Sequence, residues 1–163
     1  MNNKGITIIA LIITVVVMLI LVTIVVNYGT EEIDKVKLED IKTTMLLIKG
    51  RAQIASEKDE FGEKYDKTGM ILYTDEINET TETKYKLPKD LAKLLNSSIQ
   101  DKSKLYIWNR DALNNNNIDV TITDEDFHKK FYIIDYNTKE VYYSVGYTDG
   151  ANTYYSLTDM QNL

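Results

Sequence analysis

The chain has 163 residues, room for one small domain beside a long apolar N-terminal run. It has no cysteine, which excludes a disulfide framework and any thiolate metal site. The net charge is −6, and Lys4 is the only charged side chain before Glu31, so the acidic excess belongs to everything beyond the apolar run. That balance argues against nucleic acid, whose binding needs a basic face to replace phosphate counterions.

No charged residue occurs from Ile6 to Val26; Thr7, Thr14 and Thr23 are the polar side chains among aliphatics. A helix of about 20 apolar residues, rising ~1.5 Å each, spans the roughly 30 Å of a bilayer's hydrocarbon core. The threonines fit such a helix, because each hydroxyl can bond to a carbonyl one turn back. The run is longer than the apolar part of a secretory signal. Val25-Val26-Asn27-Tyr28 also lacks the small residues of a signal-peptidase site. By the positive-inside tendency, Lys4 and the N-terminus stay in the cytoplasm and Glu31 onward lies outside.

Lys4-Gly5-Ile6-Thr7, followed by an aliphatic helix, closely resembles the class III leader junction of type IV pilins and their pseudopilin relatives. The Gly-Ile-Thr version is similar to pilin-like proteins of clostridia-type Gram-positive bacteria. The resemblance implies cleavage between Gly5 and Ile6 by a prepilin peptidase on the cytoplasmic side, then methylation of Ile6. Lys4 supplies the leader charge at the interface. Glycine before the scissile bond lets the backbone enter a protease site without a Cβ clash. One position departs from the family: the fifth residue after the cut is Ala10, where most pilins carry glutamate. In the family that carboxylate pairs with a neighbour's N-terminal amine and guides register, since an unpaired charge in lipid is costly.

Gly29 interrupts the pattern at Asn27-Tyr28-Gly29-Thr30. Beyond it Leu38, Ile41, Met45, Ile48, Ala52 and Ala55 recur at spacings of three and four, the apolar stripe of an amphipathic helix. One helix is expected from about Ile6 to about Ser56. Lys58 to Lys86 read as a charged surface excursion, with Met70-Ile71-Leu72-Tyr73 as a strand. Leu87 to Leu95 form a short helix with Pro88 in its first turn, burying Leu87, Leu91, Leu94 and Leu95. Leu105 to Trp108 are strand or turn. Asn109 caps a helical turn through Leu113, and Asn114 to Asn117 are a loop. Phe131–Tyr136 and Glu140–Ser144 are hairpin strands joined by Asn137-Thr138-Lys139. Gly146 to Asn152 are expected as a second turn and Thr153–Leu157 as a third strand. Ser156 or Thr158 caps a last helical turn ending in Met160.

Catalytic patterns are missing. His128 is the sole histidine, and its surroundings, Asp124 to Lys130, read as a solvated turn. Because some pseudopilins hold calcium in a C-terminal loop, Asp149 and Asn152 are weak calcium candidates, with Asp119, Asp124 and Asp126 a second group. Against this, Asp149-Gly150 is an ordinary hairpin-turn dipeptide, and the EF-hand spacing is missing. Most of the twelve tyrosines fall in the strand-rich region, as strand residues do. The sequon matches at Asn78 and Asn96 are too short to weigh.

The expected fold class is α+β and pilin-like: a long N-terminal helix, half in membrane and half amphipathic, against a small antiparallel sheet. Residues 1–5 are the leader, 6–28 the transmembrane and assembly helix, 29–57 its amphipathic continuation, and 58–163 a small extracytoplasmic domain. The expected function is that of a structural subunit of a surface filament or secretion pseudopilus, not an enzyme, with no cofactor. Its partners are other pilin-like subunits, the prepilin peptidase, an assembly platform with its ATPase, and the membrane, with no nucleic acid. The rival is an uncleaved, signal-anchored surface protein whose domain binds a ligand or partner as a monomer.

Overall fold

The computed structural model describes residues 3–62, 70–73 and 85–163; within them, the side chains of residues 3–10, 20–33, 59–60 and 71 fall outside the description. The protein is α+β. Helix α1 runs from Asn3 to Glu60, a few residues beyond the expected helix at each end. The chain divides into two compact units, residues 1–39 and 40–163, and α1 contributes to both.

Among the described residues of the larger unit, five antiparallel strands follow one another across a sheet in chain order. They are β1 (Met70–Leu72), β2 (Leu105–Trp108), β3 (Tyr132–Asp135), β4 (Glu140–Asp149) and β5 (Asn152–Ser156). Among the described residues the α-helices α2 (Lys89–Ser98), α3 (Arg110–Asn115) and α4 (Leu157–Gln161) lie between or after them. Ile107, Ile133 and Tyr142 stand opposite one another on β2, β3 and β4, and so share a face. That face packs on Leu91 and Leu95 of α2, together with Tyr85, Leu87 and Phe131. Alternation sends Trp108, Tyr132, Ile134, Val141 and Tyr143 to the other face. Residues 40–60 of α1 lie on that side. Ser56 accepts a hydrogen bond from Lys139 at 2.6 Å, and Ile41 and Thr44 border a hollow with Tyr132 and Tyr143. Met45, Ile48 and Ala52 are fully buried and Ala55 nearly so, the helical spacing that puts one stripe against a sheet. A sheet covered on both faces by helices buries each element's apolar side.

Three local expectations change. Pro88 is the residue before α2, with extended backbone (φ −61°, ψ 143°), not part of its first turn. Its ring fixes φ, and its missing N–H costs nothing there. Asn114 and Asn115 belong to α3, whose C-cap is Asn116; the Asn116 side chain donates to the Ala112 carbonyl at 2.8 Å.

The third change is larger. Gly146 to Asp149 are not a turn but the second half of β4, and the turn is only Gly150-Ala151. β4 advances from Tyr142 to Tyr147 while β5 retreats only from Ser156 to Tyr154, which is a bulge. Gly146 sits in it at φ +70°. A Cβ there would come within 2.7 Å of the Thr153 methyl and 2.8 Å of the Tyr154 carbonyl oxygen. Within the bulge Ser144 turns back to β3, accepting the Phe131 amide at 2.9 Å and donating to the Lys129 carbonyl at 2.6 Å.

Candidate functional site

Lys4, Gly5 and Ile6 fall in the first turns of α1, with their side chains outside the described ones, as is Ala10. The described part of the apolar run is Leu11 to Leu19. Every aliphatic side chain in it is open to solvent, from 48% at Val16 and Val17 to 69% at Met18. At ~3.6 residues per turn these positions go round the helix more than twice. No side of this stretch is therefore turned inward. Thr14 adds no polar face, because its hydroxyl donates to the Leu11 carbonyl at 2.8 Å. A helix apolar on every side needs apolar cover, from lipid or from other helices. Among the described residues no helix is long and apolar enough to cross a membrane; the expected crossing over Ile6–Val26 extends past the described side chains at both ends.

Among the described residues the weak metal candidates do not gather into a ligand cluster. Asp149 and Asn152 face each other across the two-residue turn, both exposed, with Gly150 supplying the positive φ of +59°. Asp124 is paired with Arg110 at 2.6 Å and Asp126 with Lys130 at 2.7 Å. The hydrogen bond from Lys130 holds the half-buried Asp126 carboxyl below its ordinary range. Asp119 borders the hollow beside Tyr132 and Tyr143. Among the described residues no three His, Asp or Glu side chains gather to hold a metal ion.

His128 sits in an aromatic group. Its ring lies edge-on to Phe127 at 5.3 Å and Tyr85 at 6.4 Å, and its backbone carbonyl accepts the Lys86 amide at 2.8 Å. Tyr85 continues inward, edge-on to Phe131 at 5.2 Å. The nearby Ser144 hydroxyl is committed to the backbone at both Phe131 and Lys129. Asn96 lies on α2, where its side-chain oxygen accepts from Lys102 at 2.7 Å; Asn78 is outside the described residues.

Two features escaped the sequence reading. Asn109 caps α3 as expected, its Oδ1 accepting the Ala112 amide at 3.0 Å, but its Nδ2 also holds the Tyr85 hydroxyl. No local signal joins two positions so far apart in the chain. The second is the polar hollow where Asp40 meets Tyr132 and Tyr143. Here a signal exists: strand alternation puts Tyr132 on the same side as Ile134, opposite the face of Ile133. Comparison of this chain with family models, characterised proteins and solved structures yields no match.

Proposed function

We propose that the protein is a pilin-like structural subunit, made as a membrane-anchored precursor, cut after Gly5 and methylated on Ile6. It then assembles through its N-terminal helix into a surface filament or secretion pseudopilus. The observation that carries this reading is the stretch from Leu11 to Leu19, helical and apolar on every side, with every aliphatic side chain open among the described residues. Lipid covers it before assembly and neighbouring copies cover it afterwards. In lipid the exchange is driven by close helix packing, since hydrocarbon tails are as apolar as the side chains they replace. Once the helices leave the bilayer for a filament in water, burial of this surface adds the hydrophobic term.

Lys4-Gly5-Ile6 supports the processing step, with Lys4 holding the junction at the cytoplasmic surface. The partners are copies of the chain or sister subunits, the prepilin peptidase, and the assembly platform with its ATPase. The domain stands outside the membrane and the leader inside. The anchored monomer is the second reading, and Ala10 favours it: a subunit without that glutamate lacks the charge that registers pilin neighbours.

The test is the intact mass of the protein from its native envelope. Loss of Met1 to Gly5 with one added methyl group is the expected result. A full-length mass, or loss of Met1 alone, would sink the processing step. Gly5→Phe extends the test, since a pilin precursor then accumulates uncut and filaments vanish, whereas an anchored monomer is displayed as before.

A further inference from the structure

A hollow of about 350 Å³ opens in the larger unit between residues 40–44 of α1, the segment 119–122 and the β3–β4 pair. This is at the small end of ligand-site volumes, roughly 300–1,000 Å³. Its inner wall is Tyr132, stacked on Tyr143 with ring centroids 4.9 Å apart and planes 20° from parallel. Tyr132 is 3% exposed, yet nothing among the described residues hydrogen-bonds its hydroxyl; the ring stack is its recorded contact. Among the described residues the enclosed side-chain polar atom without a partner is the Trp108 indole nitrogen, not the Tyr132 hydroxyl, which the hollow therefore leaves accessible to a ligand.

The surrounding charges say what could reach it. Asp40 and Asp119 both border the hollow, and neither has a cation partner among the described residues. Lys130 borders it too, but its ammonium is held by Asp126 at 2.7 Å. Burial first, then the neighbouring Tyr143 and Asp40, keep the Tyr132 hydroxyl neutral well past the ordinary tyrosine range. The hollow is thus rich in oxygen acceptors and carries two uncompensated negative charges at its edge. An uncharged polyol would leave both carboxylates uncompensated. A calcium ion calls for six to eight oxygen ligands with several carboxylates among them, and phenol hydroxyls serve it poorly. An ammonium group brings one positive charge and three N–H donors.

We propose that this hollow binds a small amine through its primary ammonium group, which pairs with Asp40 and donates to the Tyr132 and Tyr143 hydroxyls, with Asp119 adding charge at the rim. This goes beyond the structural reading and does not depend on assembly. The test titrates the full-length chain in detergent with 1,4-diaminobutane, followed by calorimetry and by the resonances of Tyr132 and Tyr143. Saturable binding in the roughly millimolar range is expected. Asp40→Asn weakens it about fivefold or more, as losing a partly exposed ion pair does. Tyr132→Phe, which keeps the ring stack, weakens it about threefold. Asp90→Asn, at an exposed position of α2, leaves it unchanged. Absence of saturation, equal binding of 1,4-butanediol, or an affinity untouched by Asp40→Asn would overturn the proposal. So would an equal loss in Asp90→Asn, which means diffuse attraction to an acidic surface, or calcium binding that takes the place of the amine.

Discussion

Asn109 donates a 3.0 Å hydrogen bond to the hydroxyl of Tyr85 from a position that is itself 3% exposed, while the same side chain caps α3. One amide thus serves a helix end and the core. Asn109→Ala removes a cap, worth about 1 kcal/mol, and strands the Tyr85 hydroxyl at about 1–3 kcal/mol more. Tyr85→Phe keeps the cap but leaves the buried Asn109 Nδ2–H without its acceptor, at about 1–3 kcal/mol. Asn109→Ser keeps a capping oxygen but cannot reach Tyr85, so it should cost less than Asn109→Ala. Denaturant unfolding followed through Trp108, the sole and fully buried tryptophan, measures all three. If Asn109→Ala and Asn109→Ser cost the same, the cap contributes nothing.

The buried tyrosines set an upper pH limit on stability. Burial pushes Tyr142 up to about 12, with Glu140 next in effect, and raises Tyr132, Tyr143, Tyr155 and Tyr85 as well. In the unfolded chain these phenols ionise near pH 10. Above that pH the unfolded state has lost protons that the folded state keeps, so stability falls as pH rises. Below about pH 10 the contribution is complete; it declines from there through about pH 12, where Tyr142 ionises in the folded protein. Tyrosinate absorbance should therefore rise in two stages, exposed phenols first and the buried group together with loss of structure. A single step near pH 10, with structure intact, would contradict this burial.

The amphipathic half of α1 was legible because burial there follows period alone: Met45, Ile48, Ala52 and Ala55 lie at helical spacings and are buried. The hairpin of β3 and β4 was legible for a similar reason, with strand formers on both sides of a short turn. β4 was cut short because Gly146 and Gly150 bracket a stretch that has turn composition. What decides between turn and bulge is the neighbouring strand, Thr153 to Tyr155, which presses on Gly146 and has no trace in local sequence. The hollow was legible only in part: alternation puts Tyr132 on the face opposite Ile133, but nothing local brings Asp40 and Asp119 to it. Asp40, Asp119 and Tyr132 are ordinary surface or strand residues until three distant segments converge.

Two glycines should respond to alanine in opposite directions. Gly146→Ala meets the Thr153 methyl at 2.7 Å, the Tyr154 carbonyl oxygen at 2.8 Å and the Tyr155 ring at 2.9 Å, at a φ of +70°. Backbone strain alone costs about 1–3 kcal/mol, and the carbonyl cannot yield as a side chain can. A loss of about 3 kcal/mol or more is expected. Gly50 lies inside α1 with nothing within 4 Å of an added Cβ. Gly50→Ala should stabilise by about 0.5–1 kcal/mol, the helix-propensity difference. Thermal melts of both variants decide the matter. A Gly146→Ala protein as stable as the parent would mean that the bulge can relax.

The sharpest separation of filament subunit from anchored monomer lies in the exposed apolar stretch. A leucine contributes only about 0.3–0.6 kcal/mol to insertion at a helix centre. Leu11→Ala or Leu19→Ala therefore leaves an anchor of about 20 apolar residues in the membrane. A packed interface behaves differently, because truncating a leucine in close contact with neighbours costs about 2–5 kcal/mol. Every subunit of a filament carries that loss, and Leu11 and Leu19, eight residues and about 80° apart around the helix, both lie on a stretch exposed all round. Surrounded by neighbours, both should matter. The expected outcome is unchanged membrane content with sharply reduced filament yield for each variant, read by fractionation and by electron microscopy of sheared material. If filament yield is unaffected by truncation at either position, the stretch from Leu11 to Leu19 is not a packed contact between subunits.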